Sequence, residues 1–263
     1  MALIQMNYLS KTLGMHQSLN IILPEDDSYF DPSNETKKLK TMLLFHGLSS
    51  DTHSYIRYTS IERYANEYQL AIIMPNADHS FYTNMAFGHS YYDYILEVYN
   101  YVHQILPLSR KREDNFIAGH SMGGYGTIKF ALTQSQLFSK AAPLSAAFDV
   151  SMLKNYKWYD FSPESIVGTN KEIVGSNFDP YYLVDKAIEK NIDLPELLIM
   201  CGTEDELYKG NLDFINYLDK KNVQYDFIKS PGKHDYAFWD KAIEKVIKIF
   251  TCLLYTSPSP RDS

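Results

Sequence analysis

The chain alternates between short apolar runs and longer segments of helical pattern. Apolar runs typical of β-strands occur at 18–24, 40–47, 70–76, 115–119, 140–146, 195–202 and 223–230. The run KTMLLFHG (40–47) is almost wholly apolar, as expected for a strand covered on both faces. Helices are predicted over 91–106, 123–134, 181–190, 212–221 and 236–250. This alternation predicts an α/β fold with a mostly parallel sheet and helices on both faces.

One interval interrupts the alternation. Residues 148–177, which include NYKWYDF, match neither a clean strand nor a clean helix. Because ligands in such folds bind beyond the carboxyl ends of the strands, we expect this interval to cross that edge of the sheet as a small partial lid. No internal repeat and no linker is visible, so we expect a single domain over 1–251.

Residues 252–263 depart from the pattern before them. A helical segment gives way to a Ser/Pro-rich end, TCLLYTSPSPRDS, and residues 252–262 match the translation of a transposon-derived sequencing adapter. We interpret this end as a non-native tail, the alternative being a natural disordered tail. Deletion of 252–263 is then expected to leave the activity and the melting temperature unchanged. A clear fall in melting temperature on calorimetry would show that the tail packs against the core.

Composition and charge narrow the classes of function. The chain has 263 residues, of which 45% are hydrophobic, enough for one sizeable core. Its net charge of -7, without a cluster of Lys and Arg, argues against nucleic-acid partners and polyanionic substrates. No signal-peptide pattern and no apolar run of membrane-spanning length is visible, so we expect a soluble, cytoplasmic protein without a membrane partner. Two cysteines, Cys201 and Cys252, are too few for a disulfide framework or a zinc site.

The stretch IAGHSMGGYG places Ser121 between Gly119 and Gly123, where a predicted strand ends and a predicted helix begins. So sharp a turn holds the serine at strained backbone angles, and side chains at the two flanking positions would collide with the neighbouring strand and helix. The motif therefore predicts a nucleophilic Ser121 exposed above the sheet, beside a helix N-terminus that favours developing negative charge. A phosphate-binding loop is excluded because no Gly-Lys-Ser/Thr follows.

A serine nucleophile needs a base that is oriented by an acid, and in this architecture the chain order is Ser, acid, His. His234 is the only histidine after Ser121, in a loop that follows a predicted strand. The acid is expected in GTEDELY, directly after the strand at 195–202. The motif favours Asp205, whereas position alone leaves Glu204 open.

The developing oxyanion needs two backbone N–H donors. One is expected from Met122, which follows the nucleophile, and the other from Leu48 in the loop FHGLSSDTHSY. His46 and His53 lie in the same loop, and a role in shaping the loop is favoured over metal binding because no third ligand is apparent. No cofactor and no metal is expected.

These motifs resemble the esterase D-like group of α/β-hydrolases, which includes S-formylglutathione hydrolases and bacterial tributyrin-type acyl esterases. The resemblance extends over nearly the whole chain before the tail and rests on SKTLGM, LLFHGLSSD, SFYTNM, GHSMGGYG, CGTEDELY and GKHDYAFW. It implies an α/β-hydrolase fold, a Ser121–Asp205–His234 triad, and oxyanion donors at Leu48 and Met122. The tributyrin-type branch matches better than the formylglutathione branch, and related enzymes remove feruloyl or acetyl groups from plant polysaccharides.

We therefore expect a serine carboxylesterase that acts on small short-chain acyl esters without a cofactor. The alternatives are an S-formylglutathione hydrolase, a feruloyl or acetylxylan esterase, and an acyltransferase in which an alcohol replaces the hydrolytic water. The expected partner is a small-molecule ester, and homo-oligomerisation is left open.

Overall fold

The computed structural model describes residues 1–31, 37–156, 158–159, 161–169 and 172–251. The predicted tail at 252–263, including Cys252, lies outside the described residues. The prediction about the tail therefore stays a prediction.

Eight strands of the described chain form one twisted sheet. They are β1 (Ala2–Ser10), β2 (Met15–Leu23), β3 (Lys40–Phe45), β4 (Leu70–Pro75), β5 (Asn115–His120), β6 (Lys140–Leu144), β7 (Glu196–Gly202) and β8 (Asp226–Ser230). Their order in the sheet is β1-β2-β4-β3-β5-β6-β7-β8. The β1–β2 and β2–β4 pairs are antiparallel, and every other pair is parallel. The predicted mostly parallel α/β sheet is confirmed.

Helices cover both faces of this sheet. They are α1 (Ser54–Tyr58), α2 (Ile61–Glu67), α3 (Tyr91–Ile105), α4 (Met122–Thr133), α5 (Pro163–Val167), α6 (Pro180–Glu189), α7 (Tyr208–Lys220) and α8 (Tyr236–Thr251). The buried hydrophobic side chains of α3, α4, α6 and α7 belong to one apolar cluster, and those of α1, α2 and α8 to a second cluster. None of the helices within the described ranges is long and apolar enough to cross a bilayer.

The hairpin of β1 and β2 extends the sheet beyond the predicted strands. The prediction began the first strand at residue 18, whereas β2 begins at Met15 and is preceded by β1. The segment ALIQMNYLS alternates between partly buried and exposed positions, which is typical of a strand with one covered face. This alternation was a signal for β1 in the sequence.

The described part of the interval 148–177 forms short helical turns. A 3₁₀ helix spans Val150–Asn155, and α5 follows it. The N–H groups of Ala86 and Phe87 donate to the carbonyls of Ile166 and Ser165, at 3.0 and 2.8 Å. These bonds join the interval to the segment that follows β4.

Candidate active site

Ser121 lies at the junction of β5 and α4 in a strained backbone conformation. Its φ and ψ angles are 56° and −118°, a region that L-residues rarely adopt. A Cβ atom at Gly119 would lie 2.6 Å from the Gly123 carbonyl oxygen, and one at Gly123 would lie 2.4 Å from the Phe45 carbonyl oxygen. The expected crowding at both flanking glycines is therefore present, and Ser121 lines an open cavity.

Three side chains from different parts of the chain form a continuous line of hydrogen bonds. His234 follows β8, and its Nε2 lies 2.9 Å from Ser121 Oγ. Its Nδ1 lies 2.9 Å from Oδ2 and 3.0 Å from Oδ1 of Asp205, which follows β7. The structure thus brings together the serine, histidine and aspartate that the sequence indicated.

Asp205 is suited to remain ionised. Its carboxylate is fully buried, and Oδ1 also accepts from the Leu207 N–H at 2.8 Å. Burial alone would raise the pKa of Asp205, but the hydrogen bond and charge of His234 together with the Leu207 N–H hold that pKa below its ordinary value. A carboxylate that accepts from Nδ1–H leaves Nε2 of His234 unprotonated and able to accept from Ser121 Oγ–H.

The neighbouring acids do not take this position. Glu204 and Glu206 are exposed, whereas Asp205 between them is buried. Both glutamates line the cavity that contains Ser121, yet within the described residues only Asp205 among the three is bonded to His234. Position in the sequence left Glu204 open as an alternative to Asp205. The two side chains face opposite sides of the loop, and only that of Asp205 reaches His234 within the described residues.

Two backbone N–H groups that border the same cavity are available as donors. The N–H groups of Leu48 and Met122 donate to no other group in the described part of the chain. The Gly47 carbonyl, which shares a peptide unit with the Leu48 N–H, accepts from His46 Nδ1 at 2.7 Å and from the Ser50 N–H at 3.1 Å. Because a peptide unit is planar, holding this carbonyl also sets the direction of the Leu48 N–H.

His46 and His53 are both engaged in hydrogen bonds. Nε2 of the buried His46 accepts from the Ala77 N–H at 2.9 Å, which ties the loop after β3 to the loop after β4. His53 Nδ1 lies 3.1 Å from Thr52 Oγ1. Across the described ranges, no group of three His, Cys, Asp or Glu side chains could hold a metal ion.

The cavity above Ser121 has a volume of about 1140 Å³ and two kinds of wall. The apolar wall consists of Phe81 and residues of the 148–177 interval and its approach. The polar wall comes from the loops after β3, β7 and β8 and from α1. The apolar wall includes Phe81, Ala147, Met152, Leu153, Tyr156 and Trp158. The polar wall includes Ser50, Asp51, Arg57, Glu204, Glu206 and Lys233.

Comparison with known families decides what this site belongs to. Residues 10–248 match the model of the family described as "Putative esterase". The chain belongs to this esterase family. The predicted resemblance and the predicted class of carboxylic ester hydrolase are confirmed.

Relatives of the esterase agree with that class. The chain is 28% identical over 255 residues to an acetyl esterase of Caldicellulosiruptor saccharolyticus, and the match covers 92% of this chain and 96% of the relative. It is 61% identical to the substrate-bound fluorophosphonate-binding serine hydrolase F of Staphylococcus aureus, with a TM-score of 0.93 and coverage of 95% and 98%. A structure described as an S-formylglutathione hydrolase, also from Staphylococcus aureus, is 61% identical with a TM-score of 0.89, covering 95% and 99%. A ferulic acid esterase at 20% identity and a TM-score of 0.80 shares the fold.

Some residues around the site of the esterase received no role from the sequence. Trp239 in the first turns of α8 packs edge-on against the His234 ring, with centroids 4.9 Å apart, and its Nε1–H donates to Ser145 Oγ at 3.2 Å. Arg57 and Tyr58 enter the polar side of the cavity from α1. That helix has five residues, too few to show a helical period, so the sequence carried no signal for it.

Proposed function

We propose that the esterase hydrolyses short-chain acyl esters with Ser121 as nucleophile, His234 as base and Asp205 as the acid that orients it. The observation that carries this proposal is the chain of hydrogen bonds from Ser121 Oγ through His234 to Asp205, each about 2.9 Å long. The N–H groups of Leu48 and Met122, which have no acceptor among the described residues, support it, because acyl transfer needs donors at that place.

The reaction then proceeds through an acyl-enzyme. His234 Nε2 accepts the proton of Ser121 Oγ as that oxygen attacks the ester carbonyl carbon. The carbonyl oxygen becomes an oxyanion that accepts from the Leu48 and Met122 N–H groups, while Asp205 stabilises the imidazolium. His234 donates the proton to the leaving alkoxide when the carbon–oxygen bond breaks. Water, deprotonated by His234, repeats the attack and releases the carboxylic acid and free Ser121.

The acyl group is proposed to face the apolar wall. Phe81 and Leu153 of this wall are buried. The Phe81 ring packs against Tyr125 and Phe161, with centroids 5.6 and 6.0 Å apart. A wall supported by such neighbours yields little to a longer chain, because packed interiors resist insertion of extra methylenes.

We therefore expect kcat/KM to peak between acetyl and butyryl in a series of p-nitrophenyl esters and to fall by octanoyl. Each methylene that fits a pocket is worth about 0.8 kcal/mol, roughly fourfold in rate, and one that meets the wall gains nothing. Methyl ferulate is included as a bulky acyl group. A maximum at octanoyl or longer would contradict the short-chain assignment.

Two variants of the apolar wall test whether this wall limits the length of the acyl chain. Leu153→Ala removes a buried wall residue and is expected to raise hexanoyl and octanoyl turnover relative to acetyl. Met152→Ala is the matched control, because Met152 lines the same cavity but is 40% exposed. Equal chain-length profiles in both variants would place the acyl group elsewhere in the cavity.

A thioester substrate is the second candidate. One of the two Staphylococcus aureus structures at 61% identity is described as an S-formylglutathione hydrolase. The polar wall holds two exposed cations, Arg57 and Lys233, beside the acidic side chains already described there, and the two cations could pair with a carboxylate-bearing leaving group. S-formylglutathione therefore belongs in the same panel. A kcat/KM far above that for p-nitrophenyl acetate, and lowered by salt, would favour the thioester.

A further inference from the structure

His120 directly precedes Ser121, and its buried ring has a single tautomer consistent with its contacts. Nε2 accepts from the Gly47 N–H at 3.1 Å, so Nε2 carries no proton. Nδ1 therefore bears the hydrogen and donates to Tyr55 Oη at 3.0 Å. Burial, together with the nearby His234 and His46, lowers the pKa of His120 well below its ordinary value, which keeps the ring neutral. The ring also packs on Trp239, with centroids 4.0 Å apart.

The two peptide groups on either side of Gly47, in the loop after β3, are each fixed by hydrogen bonds. In the first, the His46 carbonyl accepts from Tyr82 Oη–H at 2.9 Å, and the Gly47 N–H donates to His120. In the second, the Gly47 carbonyl is held by His46 and Ser50, which fixes the direction of the N–H of Leu48, a residue that lines the cavity. His120 thus anchors the peptide next to the one that carries the proposed donor.

Gly47 makes this anchoring necessary. A Cβ atom at position 47 would lie 2.7 Å from His120 Nε2, so the close approach of the imidazole requires glycine. Glycine leaves both backbone torsions weakly restricted by sterics. The orientation of the Leu48 N–H therefore depends on hydrogen bonds on both sides of Gly47 rather than on the backbone itself.

We infer that His120 is a positioning residue that joins the two halves of the oxyanion site. It lies in the same segment as Ser121 and Met122, and its side chain holds the loop that carries Leu48. One rigid ring therefore sets the separation of the two N–H donors. This role rests on the proposed function, because His120 acts on the reaction only through those two donors.

Two substitutions of His120 distinguish the role of its Nδ1 from the role of its Nε2. In His120→Asn the amide occupies the Nδ1 position and can still donate to Tyr55, but the acceptor for the Gly47 N–H is lost. In His120→Gln the amide oxygen reaches the Nε2 position and can accept from that N–H. The Asn variant is expected to lower kcat for p-nitrophenyl acetate about 10- to 100-fold with KM within about twofold, a part of the roughly 10²- to 10³-fold cost of losing an oxyanion donor. The Gln variant is expected to recover kcat to within about fivefold of the parent.

A tetrahedral adduct gives an independent measurement of the same defect. An arylboronic acid bonds to a serine hydroxyl and places an oxygen where the oxyanion forms. Its affinity is expected to fall in the Asn variant by a factor similar to the fall in kcat. An affinity that stays at the parent value would overturn the role in positioning the donors.

His103 supplies the matched control for loss of a buried histidine. Its Nδ1 lies 2.7 Å from the Tyr99 carbonyl oxygen and its Nε2 lies 2.9 Å from Asn115 Oδ1, away from the cavity. His103→Asn is expected to lower the melting temperature and leave kcat unchanged. Equal kcat values for the Asn and Gln variants of His120, or an unchanged kcat in the Asn variant, would overturn the inference.

The inference remains testable if His120→Asn does not fold. Tyr82→Phe frees the other end of the same peptide and is expected to lower kcat without changing KM. An unchanged kcat in this variant would show that the peptide needs no anchor. Failure of the proposed function is a different result, because Ser121→Ala would then keep the parental rate, whereas failure of the positioning role leaves Ser121 essential.

Discussion

Replacing Ser121 by alanine is expected to lower kcat for p-nitrophenyl acetate by about 10⁵- to 10⁶-fold, comparable to the loss when the nucleophile of a serine protease is removed. The substitution removes only the hydroxyl that lies 2.9 Å from His234 Nε2. Alanine meets the same strain at φ 56° as serine, so circular dichroism and the melting temperature are expected to stay close to those of the parent. Burst kinetics and steady-state rates measure the loss.

Covalent labelling by a fluorophosphonate supplies the control for this variant. The parent is expected to bind one equivalent of the probe on Ser121, and Ser121→Ala none. Ser49→Ala is the matched variant, because Ser49 is an exposed serine that lines the same cavity. It is expected to be labelled at the parental rate. Labelling of Ser121→Ala would show that another residue is the nucleophile.

Replacing Asp205 by asparagine is expected to lower kcat by about 10⁴-fold with the fold intact, as found for the corresponding change in a serine protease. An amide at this position can donate to His234 Nδ1 and so favours the tautomer whose Nε2 carries hydrogen and cannot accept from Ser121. It also removes the anion that stabilises the imidazolium. Steady-state kinetics with p-nitrophenyl acetate measure this loss, and circular dichroism checks the fold.

Glu204→Gln is the matched control for this aspartate. Glu204 carries the same charge one residue earlier in the chain, but its side chain is exposed and has no bond to His234 among the described residues. Its substitution is expected to cost less than about tenfold, since a nearby exposed charge is largely screened by solvent. If Glu204→Gln proves more damaging than Asp205→Asn, the acid is assigned one residue too far along the chain.

The sequence carried more information about the proposed catalytic residues, which follow strand ends, than about the side chains and loops that hold them in place. Ser121 and His234 could be chosen because the turn motif and the order along the chain restrict the candidates. Glu204 and Asp205 could not be separated by position, because alternate residues of an extended loop face opposite sides and the phase of that alternation is set by tertiary packing. The bond between His120 and Gly47 joins residues 73 positions apart and had no local signal.

The same distinction holds for the fold. The buried parallel strands were visible as apolar runs, since both of their faces are covered. The edge strand β1 was missed although its residues alternate, and α1 and α2 were missed because helices of five and seven residues are shorter than two full turns. Short elements of this kind owe their conformation to the core against which they pack rather than to their own pattern.

The position of β8 has a consequence for how the enzyme fails on heating. It is a five-residue strand at the edge of the sheet, with β7 as its neighbour on the inner side, and the loop after it carries His234. Edge elements open at a lower free energy than the central strands in native-state exchange. On heating, we therefore expect catalysis to end with local opening of β8 while the central sheet stays folded, so that thermal inactivation is reversible over a range of temperatures below global unfolding.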